Sequence, residues 1–327
     1  MKVPRIMIAG ALLAAAGCQI TRDYREEALP EPATTPGAEA VPTPTPEPGM
    51  VPLPSPAADM QLLVQADLEG DNDIYLLDFS EGAGRNLTLN PADDSQPAWS
   101  PDRETIAFVS DRDGNPEIYL IASDGSDLRR VTETPGAEAY PAWSADGKTL
   151  AFFCTETGVD KLCLLDMDTG VRRFLAPFEE GKGGTMLFCP GGDEMILGYG
   201  KLDQYKNYTL DLVEEKPKEI INHPAEGSGM CWSLDGSALI YASAKGKETD
   251  IWMVYLDEGR YIQLTKDLGE DHSPSLSPDG AWMVFSSRRD GNDFHQLYIL
   301  SLAGDPLKNQ VYRLTDDEAD YRYPQWR

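Results

Sequence analysis

The chain has 327 residues and a formal charge of −27, from 28 basic and 55 acidic side chains. That balance excludes nucleic acid as a partner, because such binding rests on basic groups neutralising phosphates, and it opposes adsorption to an anionic membrane surface. It fits a monomer kept soluble by its charge, or a surface that attracts cations and basic partners.

Met1 to Cys18 has the layout of a secretory signal. Lys2 and Arg5 supply the positive start, and the apolar run Ile6 to Ala16 is too short to span a bilayer stably. Its end, Ala14-Ala15-Ala16-Gly17-Cys18, resembles a bacterial lipoprotein signal, although Ala15 stands where such signals usually carry Leu. The resemblance implies cleavage before Cys18, which becomes a lipidated N-terminus. Each buried CH₂ then adds about 0.8 kcal/mol, and two or more chains are needed for stable anchoring. An ordinary signal cleaved near the same alanines is the alternative. Gln19 follows, where an Asp favours inner-membrane retention in lipoproteins of two-membrane bacteria. Residues 19–59 are dominated by proline, from Pro30 and Pro32 to Pro52, Pro54 and Pro56. Proline fixes φ and removes a donor, so neither helix nor ladder forms. This segment is expected to be a disordered, extended stalk that holds a globule away from the membrane.

From residue 60 onward one phrase recurs. Gln96-Pro97-Ala98-Trp99-Ser100-Pro101-Asp102 returns as Tyr140-Pro141-Ala142-Trp143-Ser144-Ala145-Asp146-Gly147. Further copies are Met230-Cys231-Trp232-Ser233-Leu234-Asp235-Gly236 and Ser273-Pro274-Ser275-Leu276-Ser277-Pro278-Asp279-Gly280, with a degraded one at Leu187-Phe188-Cys189-Pro190-Gly191-Gly192. The anchors Trp99, Trp143, Phe188, Trp232 and Leu276 are spaced 44, 45, 44 and 44 residues apart. A repeat of that length, built of short strands, marks a β-propeller. Each unit continues with three more strands. The second are centred on Val64, Phe108, Phe152, Leu197, Tyr241 and Phe285, and the third on Tyr75, Tyr119, Cys163, Thr209, Trp252 and Tyr298. The fourth include Leu87, Val131, Phe174, Ile220, Leu264 and Leu314. Asp-Gly and Asn-containing turns separate them. Arg103 stands where the other turns have Gly, so that turn must relax or carry local strain. The first of the six units lacks an opening strand, and Tyr321-Arg322-Tyr323-Pro324-Gln325-Trp326-Arg327 is a further copy of the phrase. That C-terminal copy is expected to complete the first blade and leave no open sheet edge.

The repeated Pro-x-Trp-Ser-Pro-Asp-Gly, followed by an Ile-Ala-Phe strand and a Gly-Asn-x-x-Ile-Tyr strand, resembles the six-bladed propeller of the TolB family over about residues 60–327. The resemblance implies an all-β domain of four-stranded blades. It also implies an extracytoplasmic setting and a protein-binding role, since TolB proteins bind a peptidoglycan-associated lipoprotein through the propeller. TolB proteins carry an α/β domain ahead of the propeller, where this chain has its proline stalk. The repeat motif transfers no contact residue.

Several constellations invite chemistry. Cys154 and Cys163 occupy places corresponding to Ser110 and Tyr119, symmetric about a turn, and are expected to face each other as a cross-strand disulfide. Cys189 and Cys231 fall on adjacent inner strands in offset register. Asp71-Asn72-Asp73, Asp111 to Asn115 and Asp290 to Asp293 lack the later Glu of a calcium loop, and turn geometry accounts for them. The loops from each fourth strand into the next inner strand carry Asp93, Asp94, Glu138, Glu179, Glu180, Glu226, Asp271, Asp317, Glu318 and Asp320. Because inner strands of a propeller run in one sense, these loops should form an acidic rim on one face, with His223 and His272 as a weak metal pair. The sequence holds no Gly-x-Ser-x-Gly elbow, zinc-protease or P-loop motif, and no cofactor is called for. The leading expectation is a lipid-anchored extracytoplasmic module that binds a protein or cell-wall component over the acidic face. The alternative is a channel-mouth, metal-dependent hydrolase or lyase, or a small-ligand sensor.

Overall fold

A computed structural model describes residues 60–327, apart from 69, 157, 202–205, 221–228, 246–247, 267–268, 290 and 292. The expected signal, Cys18 and the stalk therefore lie outside the described residues, as do His223 and Glu226. The described residues contain 24 strands in six four-stranded antiparallel sheets, arranged as a six-bladed propeller. In the second blade the inner strand β4 (Asp94–Trp99) pairs with β5 (Thr105–Ser110), then β6 (Glu117–Ala122), then the short outer β7 (Arg129–Arg130).

The strand sequences show why a sheet becomes a blade. Thr-Ile-Ala-Phe-Val-Ser in β5 is buried at every residue after Thr105, as a strand covered on both faces must be. Ile106 and Phe108 pack with Leu63, Ile74 and Leu76 of the first blade, whereas Ala107 and Val109 pack with Phe152 and Leu165 of the third. Successive side chains point to opposite faces, so one strand supplies two seams. Six apolar clusters result, one at each junction between neighbouring blades. The core is a ring of seams.

The repeated phrase has two structural uses. Its Ser and Asp lock the turn after the inner strand. Ser100 Oγ hydrogen-bonds Asp102 Oδ1 at 2.6 Å and accepts the Thr105 N–H at 2.9 Å, and the same pair recurs at Ser144/Asp146, Ser233/Asp235 and Ser277/Asp279. Its Trp ties one blade to the preceding one. The indole N–H of Trp143 donates to Ala98 O, that of Trp232 to Phe188 O and that of Trp326 to Ser275 O. Arg103 takes φ of 62°, close to the 71° of Gly147 in the same place, so a non-glycine holds a left-handed turn. Its guanidinium hydrogen-bonds Trp326 O.

The ring closes as expected. β24 (Tyr321–Trp326) lies antiparallel to β1 (Gln61–Ala66), with Leu62 opposite Trp326 and Ala66 opposite Tyr321. The expected second and third strands all coincide with observed ones. The fourth are shorter than expected. Leu87, Val131, Ile220, Leu264 and Leu314 fall one residue past the outer strands, yet each still donates its N–H to the third strand.

The expected cross-strand disulfide is corrected by the register. Cys154 in β9 (Thr149–Glu156) lies opposite Lys161 of β10 (Val159–Asp166), and Cys163 lies opposite Phe152. The two are diagonal neighbours, because Ser110 itself pairs with Glu117 rather than Tyr119. All four described cysteines are thiols. Burial pushes Cys189 up to about 11 and Cys163 and Cys231 to about 12.

Polar seams accompany the apolar ones at the face where inner strands begin. A threonine just beyond an outer strand accepts a third-strand N–H: Thr88 from Ile74, Thr132 from Ile118, Thr265 from Ile251 and Thr315 from Leu297. Between the second and third blades two fully buried carboxyls meet, Glu117 and Glu138. Glu117 Oε1 accepts from Arg130 Nη2 at 2.6 Å and from the Thr134 N–H at 2.9 Å. Glu138 Oε1 accepts from Thr134 Oγ1 at 2.5 Å. Burial first, then neighbouring Glu117, push Glu138 up to about 8. Burial alone would raise Glu117 as well, but hydrogen bonds from Glu138, Thr132, Thr134 and Arg130 hold it at about 2. The pair therefore keeps one proton at neutral pH, on Glu138, directed at Glu117.

Two outcomes follow from closure and from this pair. Removing residues 321–327 takes away the inner strand of the first blade, and should abolish the cooperative melting transition followed by circular dichroism; an unchanged melt would contradict closure. Glu138 stabilises the fold below its ordinary value of 4.5 and loses that contribution as pH rises through about 8, whereas Glu117 loses its contribution as pH falls from 4.5 towards 2. Glu138→Gln should thus leave the midpoint near pH 5 almost unchanged and raise it at pH 9. The wild-type decline between those values has a limiting slope of about 1.4 kcal/mol per pH unit. Parallel melting profiles for the two proteins would refute the shared proton.

Candidate functional site

The inner strands begin, the second strands end, the third begin and the fourth end on one face of the propeller. The loops joining one blade to the next and those joining second to third strands thus surround the same channel mouth. A bulge shapes five of the six described inner strands just inside it. Gln96, Tyr140, Ser273 and Tyr323 have φ between 50° and 55°, each immediately before a proline, and Gly229 has φ of 86° at the matching place. Register shifts mark bulges at these four non-glycine positions. A bulge re-aims the chain and interrupts pairing, and here the freed groups bond between blades around the channel. Gln96 Oε1 accepts the Tyr140 N–H at 2.6 Å, and Thr185 Oγ1 accepts the Gly229 N–H at 2.9 Å. Tyr140 and Tyr323 hydrogen-bond each other, and burial pushes both phenols above their usual range.

Below this polar collar the channel wall mixes large apolar side chains with polar ones such as Arg103, Ser275 and Gln325. A cavity of about 500 Å³ is walled by Trp99, Trp143, Trp232, Trp326, Phe188 and Leu276 among others. The anchor residues of the repeat are therefore also its lining.

The acidic rim expected from sequence divides in two. Asp94, Glu138 and Asp271 are fully buried. Asp94 pairs with Arg112 at 2.9 Å and Asp271 with Arg289 at 2.8 Å, and burial raises the Asp94 carboxyl despite its hydrogen bonds and Arg112. These three are corrected from surface contacts to seam residues, because each is the first residue of its inner strand and points into the blade. Asp93, Glu179, Glu180 and Glu318 are exposed. Asp93 accepts from both nitrogens of Asn72, and Glu180 pairs with Lys201. Asp317 accepts from the Tyr321 hydroxyl at 2.8 Å. The Asp-rich turns are used internally too: Asp73 accepts from Asn86 and Thr88, and Asp113 from Arg130 and the Tyr119 hydroxyl.

His272 lies beside a residue that sequence reasoning missed. The His295 ring centroid is 5.5 Å from that of His272, at an interplanar angle of 65°. His295 is buried, and its Nδ1 is 2.8 Å from Asp320 Oδ1. Burial, and then His295, lower His272 to about 4, so its imidazole is neutral at neutral pH. Glu270 reaches the same spot. His295 precedes a third strand and has no counterpart in the repeat. The available signal was topological, since the loops before third strands share the face of the acidic loops.

Residues 45–176 match the TolB beta propeller domain family. The Tol-Pal system protein TolB of Francisella tularensis subsp. tularensis (strain WY96-3418) is 28% identical over 115 residues, which is 34% of this chain and 25% of that protein. The uncharacterized peptidase YuxL of Bacillus subtilis (strain 168) is 24% identical over 237 residues, 70% of this chain and 28% of its own length. This chain thus spans about a quarter of the curated relatives it matches. The crystal structure of TolB from Acinetobacter baumannii superposes with a TM-score of 0.70 at 22% identity, covering 83% of this chain and 67% of that one. With six closed four-stranded blades and the matching repeat, the domain is a TolB-like six-bladed β-propeller.

Proposed function

We propose that this chain is a lipid-anchored, extracytoplasmic binding module whose channel-mouth face receives a protein or peptidoglycan-associated partner. The observation that carries the proposal is the division of the acidic loops. One set of carboxylates is consumed inside the seams, whereas Asp93, Glu179, Glu180 and Glu318 stay at the surface of loops outside the repeat. These exposed carboxylates are within reach of a partner, Asp93 while it holds Asn72 and Glu180 while it pairs with Lys201, and together they favour a basic one. Charges placed around an interface act mainly on the association rate and its salt dependence. The likeness to proteins named as Tol-Pal components supports a protein partner, and the lipoprotein-like Ala14 to Cys18 supports an anchor. Among the described residues no helix is long and apolar enough to cross a membrane, so attachment through Cys18 would leave the propeller outside the bilayer.

Capture from the membrane fraction of the source organism tests the face. The quadruple variant Asp93→Asn, Glu179→Gln, Glu180→Gln, Glu318→Gln should slow association at least tenfold at low salt and flatten its salt dependence; capture indifferent to these changes would remove the face from consideration. Cys18→Ala should shift the chain from the detergent-rich to the aqueous phase on partitioning. An unshifted chain would argue against lipidation.

A further inference from the structure

We propose that Glu270, His272 and His295 form a binding site for a divalent first-row transition-metal ion, set into the seam between the sixth and first blades at the channel mouth. One ligand atom from each residue lies within 4.8 Å of the others. Glu270 and His272 come from the start of β20 (Asp271–Leu276) and the residue before it, and His295 precedes β22 (Gln296–Ser301) of the same blade. The first blade supplies the support. Asp320 Oδ1 accepts both Nδ1 of His295 at 2.8 Å and the His295 main-chain N–H at 2.7 Å. Its other oxygen is held by Arg322 Nε at 2.6 Å, and its own N–H donates to Asp67 Oδ1 at 2.8 Å. A carboxylate on one imidazole nitrogen fixes the ring and tautomer and leaves the other nitrogen for a metal, the usual arrangement behind metal-ligating histidines. In His295 that other nitrogen is Nε2.

Two imidazoles and one carboxylate suit zinc, iron, cobalt or manganese better than calcium or magnesium, which prefer all-oxygen shells. Metal–ligand bonds of about 2.0–2.2 Å place ligand atoms roughly 3.4 Å apart, so ligand atoms now within 4.8 Å of one another must draw together by up to about 1.4 Å. Glu270 is the one free to do so. Its side chain is 47% exposed and only loosely paired with Arg288, at 3.5 Å. The remaining coordination positions open into a cavity of about 210 Å³, which Arg288 and Arg322 also border. The two guanidinium groups offset Glu270 and Asp320, and Asp67 adds one further negative charge, so a bound dication still carries uncompensated charge and calls for an anionic ligand to complete its shell. Arg288 Nε, buried and without an acceptor among the described residues, stands where such an anion can be received.

Calorimetric titration of the tag-free, chelator-treated full-length chain with Zn²⁺ and Mn²⁺, and the visible spectrum with Co²⁺, test the site. One ion per chain is expected, bound in the order Mn²⁺ weaker than Co²⁺ weaker than Zn²⁺, with Ca²⁺ weaker than all three. His272→Gln and Glu270→Gln, both at partly exposed positions, should each weaken Zn²⁺ binding at least tenfold with the melting curve retained. Asp320→Asn should weaken it about 10–100-fold at unchanged stoichiometry. Absence of saturable binding, Ca²⁺ binding as tight as Zn²⁺, or Zn²⁺ affinity unchanged in the His272 and Glu270 variants would each overturn the proposal. These readouts involve no partner protein, so they stand or fall separately from the binding role of the rim.

Discussion

Everything in this domain depends on burying both faces of each blade against its neighbours. A four-stranded sheet with two apolar faces has no stable existence in water. Six of them are stable here because the alternation within one strand serves two junctions at once: Ile106 and Phe108 on one side, Ala107 and Val109 on the other. The arrangement admits no end, since an uncovered terminal blade would expose a full apolar face. The pairing of β24 with β1 is thus a condition of the other seams. The indole N–H bonds from one inner strand to the preceding one add direction to contacts that dispersion and hydrophobic burial leave non-directional.

Strand positions were legible in the sequence because the repeat fixes phase. A period of 44 or 45 residues places every second and third strand, and the C-terminal copy of the phrase announces the closure. Register was less legible. The pairing of Cys154 with Cys163 assumed that equivalent places in two hairpins face each other, but Ser110 faces Glu117, two residues from Tyr119, and that offset carries over. A one-dimensional period gives position along the strand and is silent on the partner across it.

Side-chain direction explains the uneven reading of the rim. Asp93 and Asp94 are neighbours in sequence with opposite fates, the first exposed on a loop and the second sealed against Arg112. Charge composition counts the two alike, whereas the pleat separates them. His295 was illegible for a different reason. It sits outside the repeat, and only the shared face of two loop families brings it to His272. What repeats builds the ring, and what fails to repeat decorates one face of it. The seam between the sixth and first blades, where the two ends of the domain are joined, is also where Glu270, His272 and His295 meet.

The closing strand imposes an order of events on synthesis. Leu62 waits for Trp326, 264 positions downstream. At about 5–20 residues per second that interval is on the order of 10–50 s. Throughout it β1, an apolar strand, has one edge without its partner, and an open edge invites pairing with other chains. Contacts so distant in sequence also make for slow folding. The blade that emerges first is consequently the last to be finished, and a newly made chain is most vulnerable at its oldest end.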